Sequence, residues 1–150
     1  MELKVVATNR KARHEYLVIE TYEAGLVLQG SEIKSLRAGQ ISIAQAYVSI
    51  DKNEAWLLNA HIAPYDQASH FNHDPLRPRK LLLHRAEIRK MWENIRQKGT
   101  TIVPLKVYIK DGIAKIEIAL AKGKKLYDKR ADIAKRDVER EIERQYKHRD

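Results

Sequence analysis

Two apolar runs, Thr101 to Ile109 and Ile113 to Leu120, flank the dipeptide Asp111 and Gly112. Asp-Gly between such runs is a strong short-range hairpin signal, because a tight two-residue turn needs positive φ at both central positions. One long antiparallel hairpin is therefore fixed late in the chain, and the other apolar segments must supply neighbours for its edges. Ile43 to Ile50 and Ala55 to Ala60, joined by a turn over Asp51 to Glu54, give a second hairpin, with Trp56 or Leu57 filling the core. Tyr16 to Ile19 and Leu26 to Gln29 read as one long strand with a bulge or bend near Ala24 and Gly25.

Two segments have helical spacing instead. In SEIKSLRAG, Ser31 is placed to cap, Ile33 and Leu36 face inward, and Gly39 is the stop. In His84 to Gly99 the apolar positions Ile88, Met91, Trp92 and Ile95 recur at 3–4 spacing before Gly99. Met1 to Arg13 reads as a short basic entry, and the prolines of His61 to Pro78 (Pro64, Pro75 and Pro78) together with the string FNHDPLRPRKLLLH from Phe71 to His84 read as a long structured loop. About six strands and two short helices with no β-α-β alternation predict a small antiparallel β-barrel of the oligonucleotide-binding type.

A chain of 150 residues holds one such domain and an appendage. The expected division is a barrel over residues 1–121 and a basic C-terminal tail over 122–150. AKGKKLYDKR, starting at Ala121, sets five bases against Asp128. The next twenty residues are charge-dense but neutral, with six bases and six acids. Their apolar content is a thin stripe, Ala134, Val138, Ile142 and Tyr146, each four residues after the last. One narrow stripe anchors a helix weakly, so the tail is expected to be disordered when free and helical when captured.

The formal net charge is +9, so the long-range field attracts polyanions, nucleic acid above all. With no cysteine there is neither a disulfide framework nor a thiolate site, and no apolar run approaches the length of a membrane helix. These features predict a cytoplasmic protein without membrane contact. A hydrolytic metal centre would have to gather His61, Asp66, His70, His73 and Asp74, which lack helical HExxH spacing, and no nucleophile elbow or phosphate-binding glycine loop is present. Neither an enzyme nor a cofactor is expected. Binding has more support. NRKARHEY combines Arg10, Lys11 and Arg13 with His14 and Tyr16, and RPRK sets Arg77, Arg79 and Lys80 beside prolines. Such mixtures neutralise phosphates and stack unpaired bases, at roughly 1–3 kcal/mol per stacked base.

At these residues the sequence resembles a known family. NRKARHEY from Asn9, ETYEAGLVLQGSEIKSLRAG from Glu20, FNHDPLRPRKLLLH from Phe71 and AKGKKLYDKRADIAKRD from Ala121 are similar, in that order, to the small protein B family, partners of transfer-messenger RNA in bacterial ribosome rescue. The resemblance implies a non-enzymatic adaptor whose barrel cradles the tRNA-like domain of that RNA. Its tail would enter the small-subunit decoding centre and mRNA channel left empty by a truncated message. Elongation factor Tu with GTP would accompany the RNA. RNA contact then falls on His14, Glu23, Lys34, Arg37, Lys80, Leu82 and His84, with Arg13 and Lys122 added from the basic segments around them. Ribosome contact falls on Gly123, Lys124, Lys125, Tyr127, Asp128, Lys129 and Arg130. Tyr127 stands where some relatives carry histidine, which favours stacking over protonation at that position.

Overall fold

The structure, a computed structural model, describes residues 3–65 and 72–123. Among these residues the chain forms β1 (Leu3–Thr8), α1 (Arg10–Glu15), β2 (Tyr16–Leu26), α2 (Gly30–Arg37), β3 (Ile41–Ser42), β4 (Tyr47–Asp51), β5 (Glu54–Leu58), β6 (His61–Ile62), β7 (Arg79–Leu82), α3 (Arg85–Lys98), β8 (Thr101–Lys110) and β9 (Ile113–Gly123). Six strands close a ring in the order β8, β4, β5, β7, β2, β9 and back to β8, with β1 added outside β8 and β3 paired with β6 apart from it. Every pairing is antiparallel, as expected for an oligonucleotide-binding-type barrel.

Both predicted hairpins form. Asp111 and Gly112 take positive φ at the β8–β9 turn, and Lys52 and Asn53 do so at the β4–β5 turn. The long strand forms from Tyr16 only as far as Leu26, leaving Val27 to Gln29 outside it, and its irregularity lies between Val18 and Glu20, away from Gly25. Gly25 is paired on both sides, to Leu82 and to Lys115. A Cβ there would lie 3.3 Å from the Leu82 Cβ, so close approach of β7 is what the glycine accommodates.

Strand alternation sends Tyr22 and Ala24 of β2, Leu57 of β5, Leu81 of β7, Val107 of β8 and Ile116, Ile118 and Leu120 of β9 into the barrel, where Leu36 of α2 and Met91 of α3 join them. Leu57, and not Trp56, is the fully buried member of its pair. A smaller cluster forms outside the ring, where Ala12 of α1 covers Val103, Leu105, Ala119 and Ala121. Helix α3 ends at Gly99 in the left-handed conformation, as its sequence predicts.

Three elements depart from the sequence expectations. The basic entry folds into β1 and α1, and the expected loop supplies β6 (His61–Ile62) at its start and the four residues of β7 near its end. Pro75 and Pro78 both precede β7, so its strand hydrogen bonds are not interrupted by them. The final strand continues through Lys122 and Gly123, which pair with Leu17 and Tyr16, two residues beyond the expected boundary at 121. The expected tail helix lies outside the described residues.

Candidate nucleic-acid interface

The site is built on the outer face of β7, β2, β9 and β8. Register places Leu82, Gly25, Lys115 and Tyr108 in one cross-strand row, and Glu23, Glu117 and Lys106 in the next. Glu23 is exposed, and its position is set from below: the Tyr108 hydroxyl donates to Oε2, and the Lys110 Nζ lies 3.7 Å from the same oxygen. The Tyr108 hydrogen bond, followed by Lys110 and Lys115, holds the Glu23 carboxyl below the ordinary range against a smaller opposing effect of burial. Burial, then Glu23, pushes the Tyr108 phenol up, so it stays a donor. The outcome is an ionised acceptor held beside two lysines, suited to amino or ribose hydroxyl groups. Replacing Tyr108 with Phe should return the Glu23 titration toward the ordinary carboxylate range and weaken the fold by about 1 kcal/mol. Carboxyl NMR titration with chemical unfolding reads both effects; an unmoved Glu23 would show that the lysines alone set it.

Lys34 and Arg37 are exposed on α2, and the Lys34 Nζ stands 5.6 Å from the centre of the Tyr65 ring. The helix is fixed by a side chain that sequence reasoning passed over. Glu32 is fully buried: its Oε1 accepts from the Gln29 N–H at 2.8 Å and from Arg77 Nη2 at 2.5 Å, and its Oε2 accepts from Arg79 Nε at 2.6 Å. Gln29, not Ser31, is therefore the N-terminal cap. Ser31 instead donates to His73 Nδ1 at 2.8 Å, because His73 Nε2 must donate to the Ile62 carbonyl at 2.9 Å. With both nitrogens engaged, His73 serves the loop and not a metal. Among the described residues no group of three or more His, Asp or Glu side chains is placed to hold a metal ion, while Asp66 and His70 lie outside those residues.

Arg79 is wholly buried and also donates to the Ala60, Asp74 and Pro75 carbonyls. Two of the three bases in RPRK are thus turned to Glu32, a correction to the basic patch read from the sequence. The signal was available in the alternation of β7, which sends Arg79 and Leu81 inward and Lys80 and Leu82 outward. Lys80 lies 3.4 Å from Glu54, and Leu82 is 56% exposed. His84 is the exposed N-terminal cap of α3, its N–H donating to Glu87 at 3.0 Å.

Arg13 and His14 are exposed in the last turn of α1. The helix is held by Asn9, which is buried: its Oδ1 accepts from the Ala12 N–H, and its Nδ2 donates to the Ile43 and Pro104 carbonyls at 3.1 and 3.0 Å. Since Gly123 pairs with Tyr16, directly after α1, the last described strand finishes beside this basic helix. Lys122 is exposed there. Of the other expected tail contacts, Lys124, Lys125, Tyr127, Asp128, Lys129 and Arg130 lie outside the described residues.

A closed antiparallel barrel with lysines, arginines and an oriented carboxylate on its outside belongs to the oligonucleotide-binding type of RNA-binding domain. The family model described as SmpB protein matches residues 6–148. The chain belongs to the SmpB family. It is 60% identical over 141 residues to the SsrA-binding protein of Desulforudis audaxviator (strain MP104C), covering 94% of this chain and 92% of the relative. It is 55% identical over 148 residues to that of Geobacillus thermodenitrificans (strain NG80-2), covering 99% and 96%. A chain of a solved structure described as "tmRNA-SmpB: a journey to the center of the bacterial ribosome" superposes with a TM-score of 0.65 at 48% identity, over 77% of this chain and 82% of that one.

Proposed function

We infer that the protein is the RNA-binding adaptor of trans-translation, which binds transfer-messenger RNA and brings it to stalled ribosomes. Family membership over nearly the whole chain carries this conclusion, and the outer face described above gives it a physical basis. The barrel takes the tRNA-like domain through Arg13, His14, Glu23, Lys34, Arg37, Lys80, Leu82, His84 and Lys122. Lysine and arginine meet phosphates, and Glu23, fixed by Tyr108, accepts from a base or ribose. The segment that follows β9, residues 124–150, forms the ribosome-directed part, with Gly123 at its root and Lys124 to Arg130 standing in the vacant decoding centre and mRNA channel. The protein catalyses nothing itself; elongation factor Tu, travelling with the charged RNA, supplies the GTP turnover. Its place is the cytoplasm, which accords with the lack of a helix long and apolar enough to cross a membrane among the described residues.

Competition binding tests the partner. The tRNA-like domain of transfer-messenger RNA should displace labelled full-length transfer-messenger RNA, while an ordinary elongator tRNA at equal concentration should compete at least about tenfold less well at 0.15 M salt. Equal competition would reduce the barrel to a non-specific polyanion binder.

A further inference from the structure

Helix α3 departs from its sequence expectation at one position. Trp92, one of its apolar positions at helical spacing, is 42% exposed, while Ile88 and Met91 are buried. It lines a groove of about 500 Å³ between α3, β7 and the β4–β5 turn. Leu82, 56% exposed, stands on the same groove. The groove's charged residues are Lys52, Lys80, Arg85 and Arg89 against Glu54 alone. Because Lys80 is the base that meets Glu54, at 3.4 Å, the other three cations are uncompensated within the groove. The Arg96 guanidinium lies over one face of the Trp92 ring, 6.0 Å from its centre, so a stacking base would take the opposite face.

An indole left partly in water among uncompensated bases matches what single-stranded nucleic acid requires: a π-face for a base, and cations spaced along a phosphate backbone. A regular RNA duplex offers no free base face, so the aromatic element selects unpaired nucleotides. The volume falls in the range of sites that accept nucleotide-sized groups. We propose that this groove continues the RNA-binding face beyond Lys80 and Leu82, with an unpaired base stacking on Trp92 while Lys52, Arg85 and Arg89 hold the flanking phosphates. It deepens, and rests on, the RNA-binding function above. It extends the contact from Lys80 and Leu82 around the barrel to α3, so that the bound RNA reaches the protein with a looped or single-stranded segment as well as with a helix.

The indole N–H signals of the full ¹⁵N-labelled chain test this, with Trp92 assigned by the Trp92→Phe variant. An oligoadenylate of about eight nucleotides should shift the Trp92 signal, whereas a blunt RNA duplex of equal phosphate content should not. Trp92→Ala, at a partly exposed position, should leave the fold intact and weaken oligoadenylate binding by roughly fivefold or more. Arg85→Ala with Arg89→Ala should reduce the salt dependence of that binding. Equal shifts from duplex and single strand, or an equal shift from a polyglutamate peptide, would overturn the stacking site in favour of a general anion surface. If transfer-messenger RNA binds at full strength while the Trp92 signal and the Trp92→Ala affinity do not change, the groove is overturned and the adaptor function stands. If Trp92 responds to oligoadenylate but transfer-messenger RNA is not preferred over tRNA, the groove stands and the adaptor function fails.

Discussion

Glu32→Gln is expected to destabilise the barrel by about 3–5 kcal/mol at pH 7, because removing one member of a buried ion pair leaves the other uncompensated. Arg77, 29% exposed at its side chain, can turn to water, but Arg79 at 0% cannot. Against a typical net stability of roughly 5–15 kcal/mol, that is a large fraction. The pair need not be worth that much in itself. The double variant Glu32→Gln with Arg79→Met removes both the charge and its orphan, so it should be less destabilised than the sum of the single changes. Acid has a related effect. Burial pushes the Glu32 carboxyl up, but Arg77, the Gln29 N–H and Arg79 together outweigh it and leave it below its ordinary value. A carboxyl lowered on folding contributes stability that is complete above its unfolded value and is lost as pH falls through the folded one. Urea unfolding between pH 7 and acid should therefore show a steeper loss in the parent than in Glu32→Gln. Parallel curves would mean that Glu32 is not the titrating tie between α2 and the proline loop.

Reversing charge at Lys34 and Arg37 together should weaken transfer-messenger RNA binding by about tenfold or more at moderate salt, and lower the salt slope by about 2. Both side chains are exposed on α2, so the barrel should unfold as the parent does. The neighbouring bases make the comparison sharp. Lys110 and Lys115 attend Glu23, and Arg77 and Arg79 attend Glu32, whereas Lys34 has only the Tyr65 ring among its nearest described contacts. On the proposed reading, reversal at Lys34 and Arg37 removes cations that meet the RNA and not cations consumed by the fold. An unchanged salt slope would place the phosphate contacts elsewhere.

The barrel was legible because its signals are local. Asp111 and Gly112 dictate a turn, and the runs beside them dictate strands. Ring closure was less legible, since only β4 with β5 and β8 with β9 pair as consecutive ring strands, while β2 finds β7 and β9 across long stretches of chain. β1 and α1 hid within a basic segment whose apolar residues are short and partly exposed, and β7 behind two prolines. The site divides in the same way. Exposed bases such as Arg13, Lys34 and Arg37 are read directly from charge. Asn9, Glu32, Arg79 and Tyr108, which set their positions, look like surface or core residues until strand register and burial bring their partners together. Charge counting placed Arg79 in the basic patch because nothing adjacent to it in sequence announces a carboxylate 47 residues earlier.

The central claim, a barrel that binds the RNA and a separate segment that reads the stalled ribosome, is tested most directly by a chain ending at Gly123. That cut keeps the whole of β9, including the pairing of Gly123 with Tyr16, whereas a cut at Leu120 would remove the buried Ala121 and the pairs that Ala121, Lys122 and Gly123 make with Val18, Leu17 and Tyr16. On ribosomes halted at a truncated message, the shortened protein should bind transfer-messenger RNA within about tenfold of the full chain and support no peptide tagging. Tagging that persists without residues 124–150, or RNA binding lost along with them, would contradict the division of labour between barrel and tail.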